Sequence, residues 1–132
     1  MQSCGAISAI ETYPLNFTFD KMDVDYPLES LAMKHFGCLY SYSLRERGDL
    51  SVRRMKEYKI DGLVVWSDIC CKYYALFANY LKARAEKDLG IPGLVLDSDQ
   101  CDPRDYNEGV LKGRIDAFME VLENRKQSRQ AG

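Results

Sequence analysis

Apolar positions along this chain switch between two spacings. Leu28, Leu31, Ala32 and Phe36 recur at helical intervals between Pro27 and Gly37, a proline at the start and a glycine just past the end of a first helix. Cys38 to Ser43 alternates enough to read as a strand. Asp49 can cap a second helix whose inner face is Val52 and Met55. The run Ile60, Asp61, Gly62, Leu63, Val64, Val65, Trp66 is short, β-branched and nearly continuously apolar, as a strand covered on both faces should be. From Lys72 to Leu89, Tyr73, Tyr74, Phe77, Tyr80, Leu81 and Leu89 form the stripe of the longest helix, which Gly90 and Pro92 stop. Gly93 to Leu96 give another strand and Asp97 to Tyr106 a polar loop. Leu111, Ile115, Phe118, Met119 and Leu122 mark the buried stripe of a last helix.

This alternation of strand and helix predicts a parallel sheet with crossover helices. The expected fold class is α/β, a Rossmann-like three-layer αβα domain whose small, mostly parallel sheet has about three or four strands, with Gly5 to Ile10 as the candidate fourth. Residues 1–26 read as a poorly defined N-terminal segment and 27–123 as the α/β domain. Residues 124–132 read as a polar tail that buries nothing and frays. So thin a sheet has two edges to protect, and the molecule reads as part of something larger.

At 132 residues the chain fits one domain. Its formal charge of -2 and pI near 5.4, with dispersed basic residues, argue against a nucleic-acid partner. No apolar run is long enough to span a bilayer, and the first ten residues lack the regions of a signal peptide, so a cytoplasmic, reducing setting and no membrane partner are expected. Five cysteines (Cys4, Cys38, Cys70, Cys71 and Cys101) are an odd number without the spacings of a disulfide framework or zinc ribbon, which points to free thiols.

Cys70 and Cys71 fall where a buried strand gives way to the longest helix, the edge at which parallel sheets place their chemistry. A thiol there meets unpaired backbone N–H groups and the positive end of the helix dipole. By residue type alone such a cysteine is more often a small buried hydrophobe than a ligand. Cys101 reads as a loop residue. Asp97, Asp99, Asp102 and Asp105 read as turn and capping residues, since the glycine and terminal glutamate of a calcium loop are missing. His35, the only histidine, falls in the last turn of the first helix, facing solvent or supporting the helix end. Tyr73, Tyr74, Phe77 and Tyr80 read as core or subunit interface, and no glycine-rich phosphate loop is present.

The stretch Asp61 to Ser67, then Cys71-Lys72-Tyr73-Tyr74, Gly90-Ile91-Pro92, Leu96 to Arg104 and Arg114 to Phe118 together resemble the C-terminal part of a subunit of the 2-hydroxyacyl-CoA dehydratase family, which includes the related benzoyl-CoA reductase subunits. The similarity is dense from about Glu57 to Leu122 and thinner back to about Pro27. The resemblance implies a four-iron, four-sulfur cluster held by cysteines scattered along a longer chain. It puts one ligand role on Cys71, because Lys72 and two aromatic residues follow it, with the other ligands outside this chain and Cys70 not a ligand. Tyr73 stands where many relatives have proline. It also implies a second dehydratase subunit, an ATP-dependent activator protein and an acyl-CoA substrate. The reaction implied is radical dehydration of a 2-hydroxyacyl-CoA to an enoyl-CoA, in which the cluster carries the hard step. One matching cysteine cannot hold a cluster alone, so the isolated chain is expected to be inactive. The alternatives are a benzoyl-CoA-reductase-like segment and a non-catalytic docking module of the same fold that has lost the cluster.

Overall fold

The computed structural model describes residues 4–15, 22–99 and 101–130. Along the chain run α1 (Thr12–Leu15), α2 (Pro27–Phe36), α3 (Leu44–Glu57), β1 (Leu63–Asp68), α4 (Lys72–Leu89), β2 (Gly93–Ser98) and α5 (Glu108–Gln130), with 3₁₀ turns at Leu39–Ser41 and Pro103–Asp105. The strands pair in parallel from Leu63 opposite Gly93 to Asp68 opposite Ser98. Side chains of paired strands alternate between the faces. One face carries Val65 into a cluster with Phe77, Ala78, Leu81 and Ala85 of α4 and Met55 of α3. The other face receives α5, since a Cβ on Gly62 would lie 2.8 Å from Leu122 and 3.0 Å from Phe118. The α/β class and layering are therefore as expected.

The sheet is smaller than expected. Among the described residues it has two strands rather than three or four. Cys38 to Ser43 is not a strand, since Leu39–Ser41 forms a 3₁₀ turn at its centre: Ser41 N–H donates to Cys38 O, Tyr42 N–H to Leu39 O, and Ser41 Oγ to His35 O. The alternating polarity there reflects a turn with local bonds, and no neighbouring strand among the described residues pairs with it. Residues 5–10 are also not a strand. The last helix runs to Gln130, so residues 124–130, expected to fray, continue α5 as an exposed helix; Arg125 reaches the carbonyl of Gly90.

The second helix begins at Leu44 rather than near Asp49, because Ser43 and Glu46 form a capping box. The Ser43 hydroxyl accepts the Glu46 N–H at 3.3 Å, and the Glu46 carboxylate accepts the Ser43 N–H at 2.9 Å. Asp49 instead ties α3 to α4 by accepting from Arg84 at 2.8 Å; Arg84 also donates to Asp88 and to the Tyr80 hydroxyl. Ser43→Ala is expected to cost about 1 kcal/mol. A denaturant melt checks it; an unchanged midpoint contradicts the capping role. At the other end of α4, Gly90 takes φ 63, which L side chains rarely adopt, and this lets the chain turn into β2.

Candidate functional site

Both strands end at one edge of the sheet, and the loops leaving them are tied together by Asp99. Its Oδ2 accepts the Cys70 thiol at 3.1 Å while its Oδ1 accepts the N–H groups of Cys101 at 2.7 Å and Asp102 at 3.2 Å. Those bonds, the Cys101 N–H first, hold the Asp99 carboxyl below the ordinary range. They act oppositely on the thiol. The hydrogen bond to Asp99, then its charge, pushes Cys70 up to about 11. Asp68 completes the group by accepting the Cys70 N–H at 2.9 Å. Ligand atoms of Asp68, Cys70 and Asp99 lie within 4.8 Å of one another, but the thiol proton already occupies the carboxylate. Exposed as it is, Cys70 is thus a thiol and not a thiolate at neutral pH. Asp99→Asn is expected to speed alkylation of Cys70 at pH 8 by about tenfold or more, because the thiolate fraction rises as the local negative charge is removed. An unchanged rate contradicts this account.

Cys71 stands differently. It is half-buried, with φ -98 and ψ 94, at the N-cap of α4, where its carbonyl accepts the N–H groups of Tyr74 and Ala75. Its side chain makes no capping bond, so the sulfur is not committed to the helix end. The first N–H groups of any helix lack an intrahelical partner and carry the positive end of the dipole.

Beneath that turn lies Arg47 of α3, only 4% exposed. Its guanidinium carbon is 3.7 Å from the Tyr73 ring centroid, 3.8 Å from that of Phe77 and 5.9 Å from that of Tyr74. Burial lowers Arg47 from its ordinary value, against the influence of Tyr73, Tyr74, Tyr40 and Cys71. Burial also raises the Tyr73 phenol, while Arg47 lowers it. The rings are held in turn: the Tyr73 hydroxyl donates to Leu39 O at 2.8 Å, and the Tyr40 and Tyr74 hydroxyls share a bond at 3.2 Å.

Of the cysteines, then, the structure brings Cys70 into a polar group and leaves Cys71 outside it. Cys4 donates to Asp116 at 3.4 Å. Among the described residues no set of thiols gathers as cluster ligands. Cys101, Asp99, Asp102 and Asp105 are loop and turn residues, Asp99 closing a turn and Asp102 capping the 3₁₀ turn after it, whereas Asp97, expected in the loop, lies within β2 opposite Ser67 because the strand runs on to Ser98. His35 ends α2, exposed. Phe77 is core, while Tyr73, Tyr74 and Tyr80 are half-buried around it. Sequence reasoning missed Arg47. Its signal was legible: Arg47, Ser51 and Met55 share one helical face, so an arginine sits on a buried stripe. No helix among the described residues is long and apolar enough to cross a membrane.

The family model described as 2-hydroxyglutaryl-CoA dehydratase, D-component, matches residues 1–122, farther upstream than the resemblance reached. The chain is 27% identical over 114 residues to a benzoyl-CoA reductase subunit of Thauera aromatica, covering 86% of this chain and 26% of that one. It is 32% identical over 69 residues to the alpha subunit of (R)-2-hydroxyglutaryl-CoA dehydratase of Acidaminococcus fermentans, covering 52% and 14%. With the alpha subunit of (R)-2-hydroxyisocaproyl-CoA dehydratase of Clostridioides difficile it shares 28% over 99 residues, covering 75% and 24%. The chain thus spans 14% to 26% of the length of these curated relatives.

Proposed function

Because the chain belongs to the 2-hydroxyglutaryl-CoA dehydratase D-component family, we propose that it is the C-terminal part of a 2-hydroxyacyl-CoA dehydratase-type subunit, with residues 27–123 as its α/β unit. It contributes Cys71 to an iron-sulfur site that serves dehydration of a 2-hydroxyacyl-CoA to an enoyl-CoA. The observation that carries this reading is the setting of Cys71: half-buried at the carboxyl edge of β1, at the N-cap of α4, with its sulfur unused by the cap.

A four-iron, four-sulfur cluster needs several thiolates held together. The described residues fit one corner of such a cluster and not the whole of it, since Cys4, Cys38 and Cys101 do not gather with Cys71. The remaining ligands come from outside this chain, supplied together with a second subunit. A cluster so held would supply one-electron chemistry; this chain's own part is one thiolate and the aromatic residues at the start of α4 beside it.

Two other readings have support. The Thauera aromatica relative, matched over 86% of this chain, favours a benzoyl-CoA-reductase-like segment using the same cysteine. The exposed apolar residues of α2, Leu28 at 76% and Phe36 at 72%, favour a docking module without a cluster. The test is conversion of a 2-hydroxyacyl-CoA to its enoyl-CoA under anaerobic conditions with ATP. The chain is assayed alone and with the proteins that copurify with it from its native source. Activity is expected only in the complex, and Cys71→Ser is expected to abolish it. Dehydration by the chain alone, or by a complex that tolerates Cys71→Ser, contradicts the proposal.

A further inference from the structure

Helix α2 turns its apolar stripe outward. Of its ten residues only Ser30 is buried, and its hydroxyl accepts the Asp23 N–H at 2.9 Å and donates to the Asp23 carbonyl at 3.3 Å. At about 100° per residue, Ser30 stands nearly opposite the row Leu28, Ala32 and Phe36, whose members follow one another at intervals of four. The polar side chain therefore faces the body of the protein and the apolar ones face away from it: Leu28, Leu31, Ala32, Met33 and Phe36 are all exposed. A helix this short is marginal on its own, and an amphipathic helix is stabilised chiefly by burying its apolar stripe. A stripe left bare by the described residues, with Glu29 and His35 at its margins, has the character of a contact surface.

We infer that this stripe is an interface between two copies of this chain, packed antiparallel about a two-fold axis at Ala32. The pattern is its own complement. Leu28 and Phe36 lie four residues to either side of Ala32, so the axis sets each Leu28 against the second copy's Phe36. The two alanines, with only a methyl group each, let the helices approach closely at the centre. Charge agrees with this direction. The first turn carries Glu29 and the last turn Lys34 and His35, so antiparallel packing brings each acidic end to the level of a basic end and opposes the two helix dipoles. Parallel packing would instead set Glu29 beside Glu29 and the basic turns beside each other. Four large apolar side chains offer less than the roughly 800 Å² per partner of a stable complex, so the pair is a weak one, with a dissociation constant on the order of 100 μM. Pairing through α2 needs neither Cys71 nor a metal, so it is read separately from iron uptake.

Sedimentation of the chain under reducing conditions, from about 10 μM to 1 mM, tests the pairing. The mass is expected to rise with concentration from 15.1 kDa toward twice that value. Leu28→Glu and Phe36→Glu, both at exposed positions, are expected to keep the parent's circular dichroism and to stay monomeric throughout. Glu29→Lys and His35→Glu are each expected to weaken association by about threefold, since each places like charges at the same level twice in the symmetric pair. Mixed together, those two variants are expected to pair more tightly than either does alone, which also decides the matter should an apolar-to-charged variant fail to fold. A parent that remains monomeric up to about 1 mM overturns the inference and leaves the stripe to a different protein chain. Association unmoved by Leu28→Glu, or a Glu29→Lys and His35→Glu mixture that pairs no better than its components, overturns it as well.

Discussion

Replacing Phe77 by alanine is expected to destabilise the chain by about 3–5 kcal/mol, the usual cost of removing a buried phenylalanine. Helix α4 is the hub of the fold: it packs on β1, β2 and α3, and Phe77 is its largest fully apolar contribution, 7% exposed within the cluster of Met55, Val65, Ala78 and Leu81. The loss has two parts. Transfer of the ring to water and the cavity left behind account for most of it. The remainder comes from Arg47, whose guanidinium would lose one of its two close aromatic faces, 3.8 Å away, while staying buried. Domains of this size are stable by only about 5–15 kcal/mol, so Phe77→Ala consumes a large share. Urea unfolding followed by far-UV circular dichroism checks it. Phe77→Leu, which refills most of the volume, should cost about 1 kcal/mol. A loss below about 1 kcal/mol for the alanine variant would show that α4 is not held at this point.

Much of the fold was legible because the relevant residues obey one rule at a time. Leu63, Val64 and Val65 are β-branched or large and apolar between Gly62 and a cysteine pair, and they form β1. Leu94, Val95 and Leu96 form β2 in the same way, with Leu96 1% exposed. The stripe Phe77 and Leu81 and the stop at Gly90 gave α4 its correct limits. What failed involved competition between local signals. Cys38 to Ser43 alternates like a strand, but Ser41 satisfies the end of α2 by bonding His35 O, and the backbone turns instead. Asp49 is a good cap residue overruled by the Ser43 and Glu46 pair upstream. The polar residues after Glu123 extend α5 because nothing in them breaks a helix, although nothing in them packs either. At the site, Cys71 and its place at the strand-to-helix edge were legible. The bond from Cys70 to Asp99 spans residues 29 apart, and the stacking of Arg47 on Tyr73 joins two helices. Such pairings are fixed by packing, and no local pattern announces them.

Cys71→Ser is expected to remove iron binding, whereas Cys70→Ser is expected to leave it in place. The two cysteines are neighbours in sequence with opposite surroundings. Cys70 shares its proton with Asp99 and is pushed up to about 11, which disfavours the thiolate a metal requires. Cys71 caps α4 through its backbone, with no carboxylate bonded to its sulfur among the described residues. Swapping sulfur for oxygen at Cys71 changes little in volume, so Cys71→Ser should fold like the parent and any loss of iron reports the ligand itself.

The measurement that tests this most directly is iron and acid-labile sulfide after anaerobic purification of the complex of this chain with the proteins that copurify with it, for the parent, Cys70→Ser and Cys71→Ser side by side. Iron and sulfide are expected to be retained together by the parent complex, equally by the Cys70→Ser complex, and lost by the Cys71→Ser complex. Iron retained by Cys71→Ser as well as by the parent, or lost in Cys70→Ser instead, would contradict the assignment of Cys71 as the ligand.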